Sequence, residues 1–259
     1  MFSPYDGLNI EDWKSKTKEL ISEHPLNLEE IREFSVQSWD SLWETYVGSG
    51  CSRVSLTDMN PPAQIVGHFF EKILARKLSK EYPDQWRGEI SGGEKDLVYT
   101  ENGRYSMEVK SSGQLGDKVF GNRSYGQGAD SSTKKGDKSG YYLTVNFRDT
   151  TLTVLRFGWI DFEDWEAQSA ASGQAATLND SVYEHKLLDI YGEYRLNAPV
   201  EILDGIGPAR TQELEKIGVY TVGDLVSYTG DESTPVRFKA KALDFAGMDH
   251  EDPEPDLFS

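Results

Sequence analysis

Asp96 and the run Glu108-Val109-Lys110 place two carboxylates and an ammonium where a β-hairpin can bring them together. Residues 96–99 and 105–110 read as strands, and Glu101-Asn102-Gly103-Arg104 between them is a hairpin turn signal. Side chains alternate along a strand, so Glu108 and Lys110 share a face while Val109 points to the core. A three-residue turn over 101–103, with Gly103 left-handed, pairs Thr100 with Arg104 and sets Asp96 opposite Glu108. A two-residue Asn-Gly turn shifts the register by one and separates the two carboxylates. Facing carboxylates repel unless a cation lies between them. All-oxygen ligation with room for water favours Mg²⁺, or Mn²⁺, over softer metals. A metal on Asp96 and Glu108 polarises a phosphoryl oxygen and acidifies water, and Lys110 orients or helps deprotonate that water. The chemistry implied is phosphodiester hydrolysis. The same residues also suit an ordinary exposed strand face, where Glu-x-Lys pairs are common.

The elements around this hairpin follow from periodicity. Residues 10–21 read as a helix stopped by His24-Pro25, and a second helix runs from Leu28 to near Gly48. Asn60-Pro61-Pro62 starts the most periodic segment, 63–78, whose apolar stripe is Val66, Phe69, Phe70, Ile73, Leu74 and Leu78. Glu71 flanks that stripe. Beyond a polar, glycine-rich loop over 111–140, residues 141–147 and 151–159 read as strands. Residues 167–181 are small and polar, a surface loop. Helices first, then strands, then irregular segments is the order of an α+β protein rather than of βαβ repeats.

Charge is uneven along the chain. The net charge is -17, yet 104–148 holds eight basic residues against four acidic ones, a net of +4. A basic island on an acidic protein attracts a polyanion locally, or it is a solvated loop. With 259 residues the chain suits one large domain, or one domain and an appendage. The single Cys51 excludes an internal disulfide and CxxC zinc sites, and the four histidines lack ligand spacing. No apolar run reaches the ~18 residues of a membrane span, and no basic-then-apolar leader opens the chain. The expectation is a soluble protein of the cytoplasm.

The D-x11-E-x-K pattern resembles the PD-(D/E)XK nuclease superfamily, although Lys95 stands where that motif has proline. The resemblance implies that Asp96 and Glu108 bind metal, that Lys110 assists the attacking water, and that Glu71 adds an acid from the preceding helix. Three separated segments carry it further: SPYDGLNIEDWKSKTKELISEHPLN, GEKDLVYTENGRYSMEVKSS, and GNRSYGQG followed by KKGDKSGYYLTVNF. Together they are similar to type II restriction endonucleases of the ScaI family, over roughly 3–195. That similarity implies a restriction-endonuclease-like mixed central sheet flanked by helices, and Mg²⁺-dependent cleavage of double-stranded DNA within a palindrome, leaving 5′-phosphates. It also implies a homodimer, no membrane partner, and a cognate DNA methyltransferase as a separate protein. Asn122, Arg123, Ser124, Tyr125 and Gln127 then offer groups for base edges or phosphates, and Lys134, Lys135 and Lys138 neutralise backbone charge. The lysines also fit a solubilising loop.

From Pro199 the character changes. Gly205-Ile206-Gly207 opens a segment similar to helix-hairpin-helix modules, whose glycines let backbone N–H groups approach a phosphate. Such modules also serve packing, and Thr221 suits the cap of its second short helix. The expected organisation is therefore 1–195 for catalysis and recognition, 196–230 for a small all-α helix-hairpin-helix module, and 231–259 for a flexible acidic tail. Two further readings stay open: a structure-directed repair or junction nuclease, and a non-catalytic DNA-binding scaffold.

Overall fold

The computed structural model describes residues 3–122, 138–167 and 175–248. In chain order the elements begin with α1 (Ile10–Ser22), α2 (Leu28–Trp43), β1 (Tyr46–Val47), β2 (Val54–Ser55), α3 (Leu56–Met59) and α4 (Ala63–Glu81). There follow β3 (Trp86–Gly88), β4 (Leu97–Tyr99), β5 (Met107–Ser112), β6 (Phe120–Asn122), β7 (Gly140–Arg148) and β8 (Thr151–Ile160). The remainder is β9 (Trp165–Ala167), β10 (Ala175–Leu178), α5 (Asp180–His185), β11 (Leu187–Asp189), α6 (Pro208–Glu215), α7 (Val222–Ser227) and α8 (Ser233–Ala246).

The chain divides into two compact units. The first comprises Met1–Gly113, Lys118–Asn146 and Val154–Ile190; the second comprises Gln114–Asp117, Phe147–Thr153 and Tyr191–Ser259. At the centre of the first is a six-stranded sheet in the order β11-β8-β7-β5-β4-β3. Strands β5 and β7 run parallel, whereas β3–β4, β4–β5 and β8–β11 are antiparallel, so the sheet is mixed. Helix α4 packs on β3 and β5, and α2 packs on α4. The α+β class with a mixed central sheet between helices is therefore the observed architecture.

Strand β7 is buried from Gly140 through Phe147, as expected of a central strand covered on both faces. Tyr141 stacks on Phe157 at 5.6 Å and meets Trp159 edge-on at 5.2 Å. His24, read from sequence only as part of a helix stop, is 7% exposed among these rings. Its ring nitrogens lie 3.0 and 3.1 Å from the carbonyl oxygens of Leu26 and Tyr105. A buried ion cluster lies in the same unit: Lys186 Nζ donates to Asp161 Oδ2 at 2.8 Å and to Asp164 Oδ1 and Oδ2 at 2.9 and 2.8 Å.

Four expectations change. The second helix ends at Trp43, and Tyr46 enters the small β1–β2 hairpin. The segment 167–181 is more than a loop: β10 pairs with β9 and β6, and α5 follows, with 168–174 outside the described residues. Ala176 and Leu178 alternate into the core, a period-2 signal too short to stand out among small residues. The loop over 111–140 contains β6, preceded by the fully buried Val119. Residues 233–246, expected within a flexible acidic tail, form α8, which buries Phe238, Ala242 and Ala246 at helical spacing and ends on Gly247 at φ 75°. The overall acidity of 231–259 obscured that stripe.

In the second unit, α6, α7 and α8 share one core built on Leu203, Ile206, Leu214, Leu225 and Phe238. Thr221 caps α7 by accepting from Asp224 N at 3.1 Å, while the Asp224 carboxylate accepts from Thr221 N at 2.8 Å.

Candidate active site

The β4–β5 hairpin has the register that opposes Asp96 to Glu108, because Leu97 pairs with Met107 one step along the same ladder. The turn that achieves it is not the one expected. Gly103 is not left-handed; Gly103–Tyr105 forms a 3-10 turn, and the Asn102 side chain accepts from Arg104 N at 3.1 Å. Thr100 leaves the hairpin, its N–H donating to Gln85 O at 2.8 Å, so β4 and β5 pair only briefly. Ser106 Oγ then accepts from Tyr99 N at 3.0 Å and closes the gap.

Each candidate side chain is held by its own strand or helix. Asp96 Oδ2 accepts from Val109 N at 2.7 Å, which fixes the carboxylate against β5. Lys110 Nζ donates to Glu108 Oε1 at 2.6 Å and to Val109 O at 3.3 Å. Glu71 arrives from α4, which lies close to β5 because Gly67 has no side chain. A Cβ there would stand 2.0 Å from Ser111 Oγ. Glu71 is one turn beyond Gly67, on the same helix face.

Sequence reasoning missed Glu89, at the end of β3. Carboxylate oxygens of Glu71, Glu89 and Asp96 lie within 4.8 Å of one another. Glu89 N donates to Asp96 O at 3.2 Å, so the backbone of β3 and β4 delivers the two acids side by side. Only the pairing of β3 with β4 could have exposed it, since neither strand is flagged by a motif at Glu89. Glu108, expected as a metal ligand with Asp96, stands outside this trio and spends one oxygen on Lys110.

The electrostatics mark the cluster as overcharged. Burial, then the charges of Glu108 and Glu71, push Asp96 up to about 7, against the opposing pull of Lys110 and Val109 N–H. Burial works to lower Lys110, but Glu108 and Asp96 outweigh it and hold the ammonium above the ordinary lysine value. Lys72 Nζ, 2.6 Å from Glu71 Oε1 and 3.4 Å from Glu89 Oε2, is raised chiefly by its hydrogen bond to Glu71. Among the described residues, no donor reaches Asp96 Oδ1 or Glu89 Oε1. Hard oxygen donors with unspent lone pairs and excess negative charge fit a divalent cation.

The mixed central sheet flanked by helices is the fold that the sequence resemblance implies. The ScaI restriction endonuclease family profile matches residues 3–191. The chain belongs to that family. Type II restriction enzyme ScaI of Streptomyces caespitosus is 36% identical to it over 197 residues, which are 73% of this chain and 85% of that enzyme. The family assignment makes the chain a restriction endonuclease, a hydrolase of the nuclease class. The match ends at the residue where the main C-terminal segment of the second unit begins, Tyr191, so α6, α7 and α8 lie outside the family region.

The expected DNA-contacting residues fall into three groups. Arg123, Ser124, Tyr125, Gln127, Lys134 and Lys135 lie outside the described residues; Asn122 ends β6, and its side chain is likewise not described. Lys138 is described: its ammonium sits 5.1 Å from the Phe162 ring centroid, and its carbonyl accepts from Tyr142 and Lys95. In the second unit Gly205 adopts φ 90°, Gly207 is the N-cap of α6, and the Ile206 side chain is 5% exposed. What Ile206 offers outward is therefore backbone. No helix among the described residues is long and apolar enough to cross a membrane.

Proposed function

We propose that this restriction endonuclease hydrolyses phosphodiester bonds of double-stranded DNA within a short palindrome, using Mg²⁺ or Mn²⁺ and leaving 5′-phosphates. The observation that carries the reading is the overcharged trio of Glu71, Glu89 and Asp96 beside the Glu108–Lys110 pair. A divalent cation held by Asp96 with Glu71, Glu89 or Glu108 supplies positive charge at the phosphoryl group and a more acidic water. Lys110 orients the attacking water and balances charge as it develops on the phosphoryl oxygens. Asp96, tethered to Val109 N–H, keeps its free oxygen aimed at the reacting centre. Glu108, through its ion pair, sets where the Lys110 ammonium lies.

A palindromic target is matched by a two-fold symmetric homodimer with two such sites. Asn122, Arg123, Ser124, Tyr125 and Gln127 with Lys134, Lys135 and Lys138 read bases or grip phosphates, and Gly205, Ile206 and Gly207 add a sequence-independent backbone contact. The protein acts in the cytoplasm beside a cognate DNA methyltransferase carried on a separate chain.

One observation favours a second reading. The helical unit from Tyr191 onward lies beyond the family match, and a helix-hairpin-helix appendage suits a nuclease directed to DNA structure. Digestion of a sequenced plasmid with and without Mg²⁺, followed by end sequencing, separates the two. Discrete metal-dependent ends at one palindrome support the restriction reading. Nicks, smears or branched-DNA products support the second, and an intact plasmid in Mg²⁺ and Mn²⁺ contradicts both in favour of a binding scaffold.

A further inference from the structure

We infer that Arg87 and Glu94 are positioning residues of the metal site, an ion pair that sets the separation of Glu89 and Asp96. The inference rests on the reading above in which those acids hold a divalent cation. Glu89 and Asp96 are the two ends of one loop. Strand β3 pairs with β4 at Trp86–Tyr99, Arg87–Val98 and Gly88–Leu97, and the ladder closes where Glu89 N donates to Asp96 O at 3.2 Å. Residues 90–95 must return the chain without spreading that last rung. Packing does not hold them: Ile90 is 80% exposed, and a Cβ on Gly92 or Gly93 would meet nothing within 4 Å. Two successive glycines also lose the most conformational freedom on being fixed. The Glu89 carboxylate itself is held loosely, by a bond of 3.4 Å from Lys72 Nζ.

Glu94 supplies the missing order. Its Oε2 accepts from Arg87 Nη1 at 3.1 Å, from Ile90 N at 2.9 Å and from Ser91 N at 3.2 Å, and Arg87 Nη2 donates to Oε1. One carboxylate thus joins three places: strand β3 just before Glu89, the peptide that follows Glu89, and the residue two before Asp96. The contact between guanidinium and carboxylate is a two-point fork, which fixes orientation as well as distance. Arg87 Nη1 also donates to Gly88 O at 3.0 Å, and Glu94 N donates to Ser91 O at 3.0 Å, so both partners are themselves steadied by backbone. The two side chains are 33% and 30% exposed, where an ion pair adds little to global stability. What the pair controls is local. Groups that orient the ligands of a metal without touching it tune its affinity strongly.

The test measures Mn²⁺ binding by the metal-free protein without DNA, from the electron paramagnetic resonance signal of the free ion. The proteins are wild type, Glu94→Gln, Arg87→Met, their double variant and Arg87→Lys, each with its melting temperature taken in parallel. Glu94→Gln and Arg87→Met should each weaken Mn²⁺ binding by about 10–100-fold. Both act through one contact, so the double variant should lose no more than the worse single variant. Arg87→Lys keeps a charge and a donor and should recover part of the loss. Gly92→Ala, added to Glu94→Gln, should also recover part of it, because it stiffens the loop where a methyl group has room. Cleavage by the single variants should need more metal for half-maximal rate yet approach the wild-type rate when metal saturates. Glu94→Gln preserves shape at a partly exposed position, so it reports even if Arg87→Met fails to fold. Wild-type Mn²⁺ affinity in the folded variants, whatever their melting temperatures, overturns this inference alone. A wild-type protein that binds no Mn²⁺ overturns the parent metal reading and this inference with it.

Discussion

Two buried clusters in the first unit use the same residue types to opposite ends. Around Lys186, every carboxylate oxygen has a donor. Asp161 Oδ1 takes Trp159 Nε1 at 2.9 Å, and Oδ2 takes Ser3 Oγ at 2.7 Å and Lys186 Nζ at 2.8 Å. Asp164 takes Lys186 on both oxygens and Asp161 N at 2.8 Å on one of them. The Lys186 ammonium is further enclosed by the rings of Tyr5 and Trp13, at 4.4 and 4.5 Å. Around Asp96, the carboxylates of Glu71, Glu89 and Asp96 crowd together beside the half-exposed Lys72 and the Glu108–Lys110 pair, and among the described residues no donor reaches Asp96 Oδ1 or Glu89 Oε1. The first arrangement is satisfied within the fold; the second carries excess negative charge, which is compatible with a divalent cation. Acidic residues alone do not mark a site; the difference between the two clusters lies in whether their charge is balanced.

The largest expected effect breaks the balanced cluster. Lys186→Met leaves two buried aspartates uncompensated and should cost about 3–5 kcal/mol of unfolding free energy by urea titration. Next is Lys110→Ala, which should cut the cleavage rate by roughly 10²–10³-fold while metal-supported DNA binding persists. Normal cleavage by that variant would remove Lys110 from the mechanism.

A pair of matched substitutions sharpens the contrast through its sign. Asp161→Asn should destabilise the protein by about 1–3 kcal/mol, because it weakens satisfied charge-assisted bonds. Asp96→Asn keeps an acceptor for Val109 N–H yet removes a crowded charge, so the metal-free protein should gain roughly 1 kcal/mol at pH 8. Equal signs would mean that the two clusters do not differ as described.

The smallest effect concerns His24, a third buried titratable group, which like Lys186 is satisfied. Burial holds its folded pKa below the ordinary 6.5, against weaker opposing bonds to Leu26 and Tyr105 carbonyls. A depressed folded value means that its contribution is fully present above pH 6.5 and is lost as pH falls toward the folded value. Between pH 7 and 5.5 the protein should lose about 1 kcal/mol that His24→Gln does not lose. An identical pH slope in both proteins would contradict this.

Much of this architecture was legible in the sequence, for identifiable reasons. The strands 141–147 and 151–159 and the helix from Ala63 carry long, clean periodicities, and all three appear as β7, β8 and α4. The opposition of Asp96 to Glu108 followed from counting across a turn, even though the turn is a 3-10 turn rather than a left-handed glycine. Phe69, placed on the buried stripe of α4, is 37% exposed, because the stripe that reaches the sheet is narrower than the apolar run. Glu89 was illegible because its place depends on β3 pairing with β4, a contact that no local pattern announces. Helix α8 was hidden under the acidity of its surroundings, and β10 under small residues. The buried role of Lys186 depends on partners more than twenty residues away in Asp161 and Asp164.

The central claim is that the excess negative charge at Glu71, Glu89 and Asp96 exists to hold a divalent cation. Its most direct test is the melting temperature of the wild-type protein and of Asp96→Asn across an Mn²⁺ titration without DNA. Wild-type protein should rise with Mn²⁺ as a ligand-binding native state must. Asp96→Asn, the more stable of the two without metal, should lose most of that rise and be overtaken. Parallel rises in both proteins, or no rise in the wild type, would contradict the account.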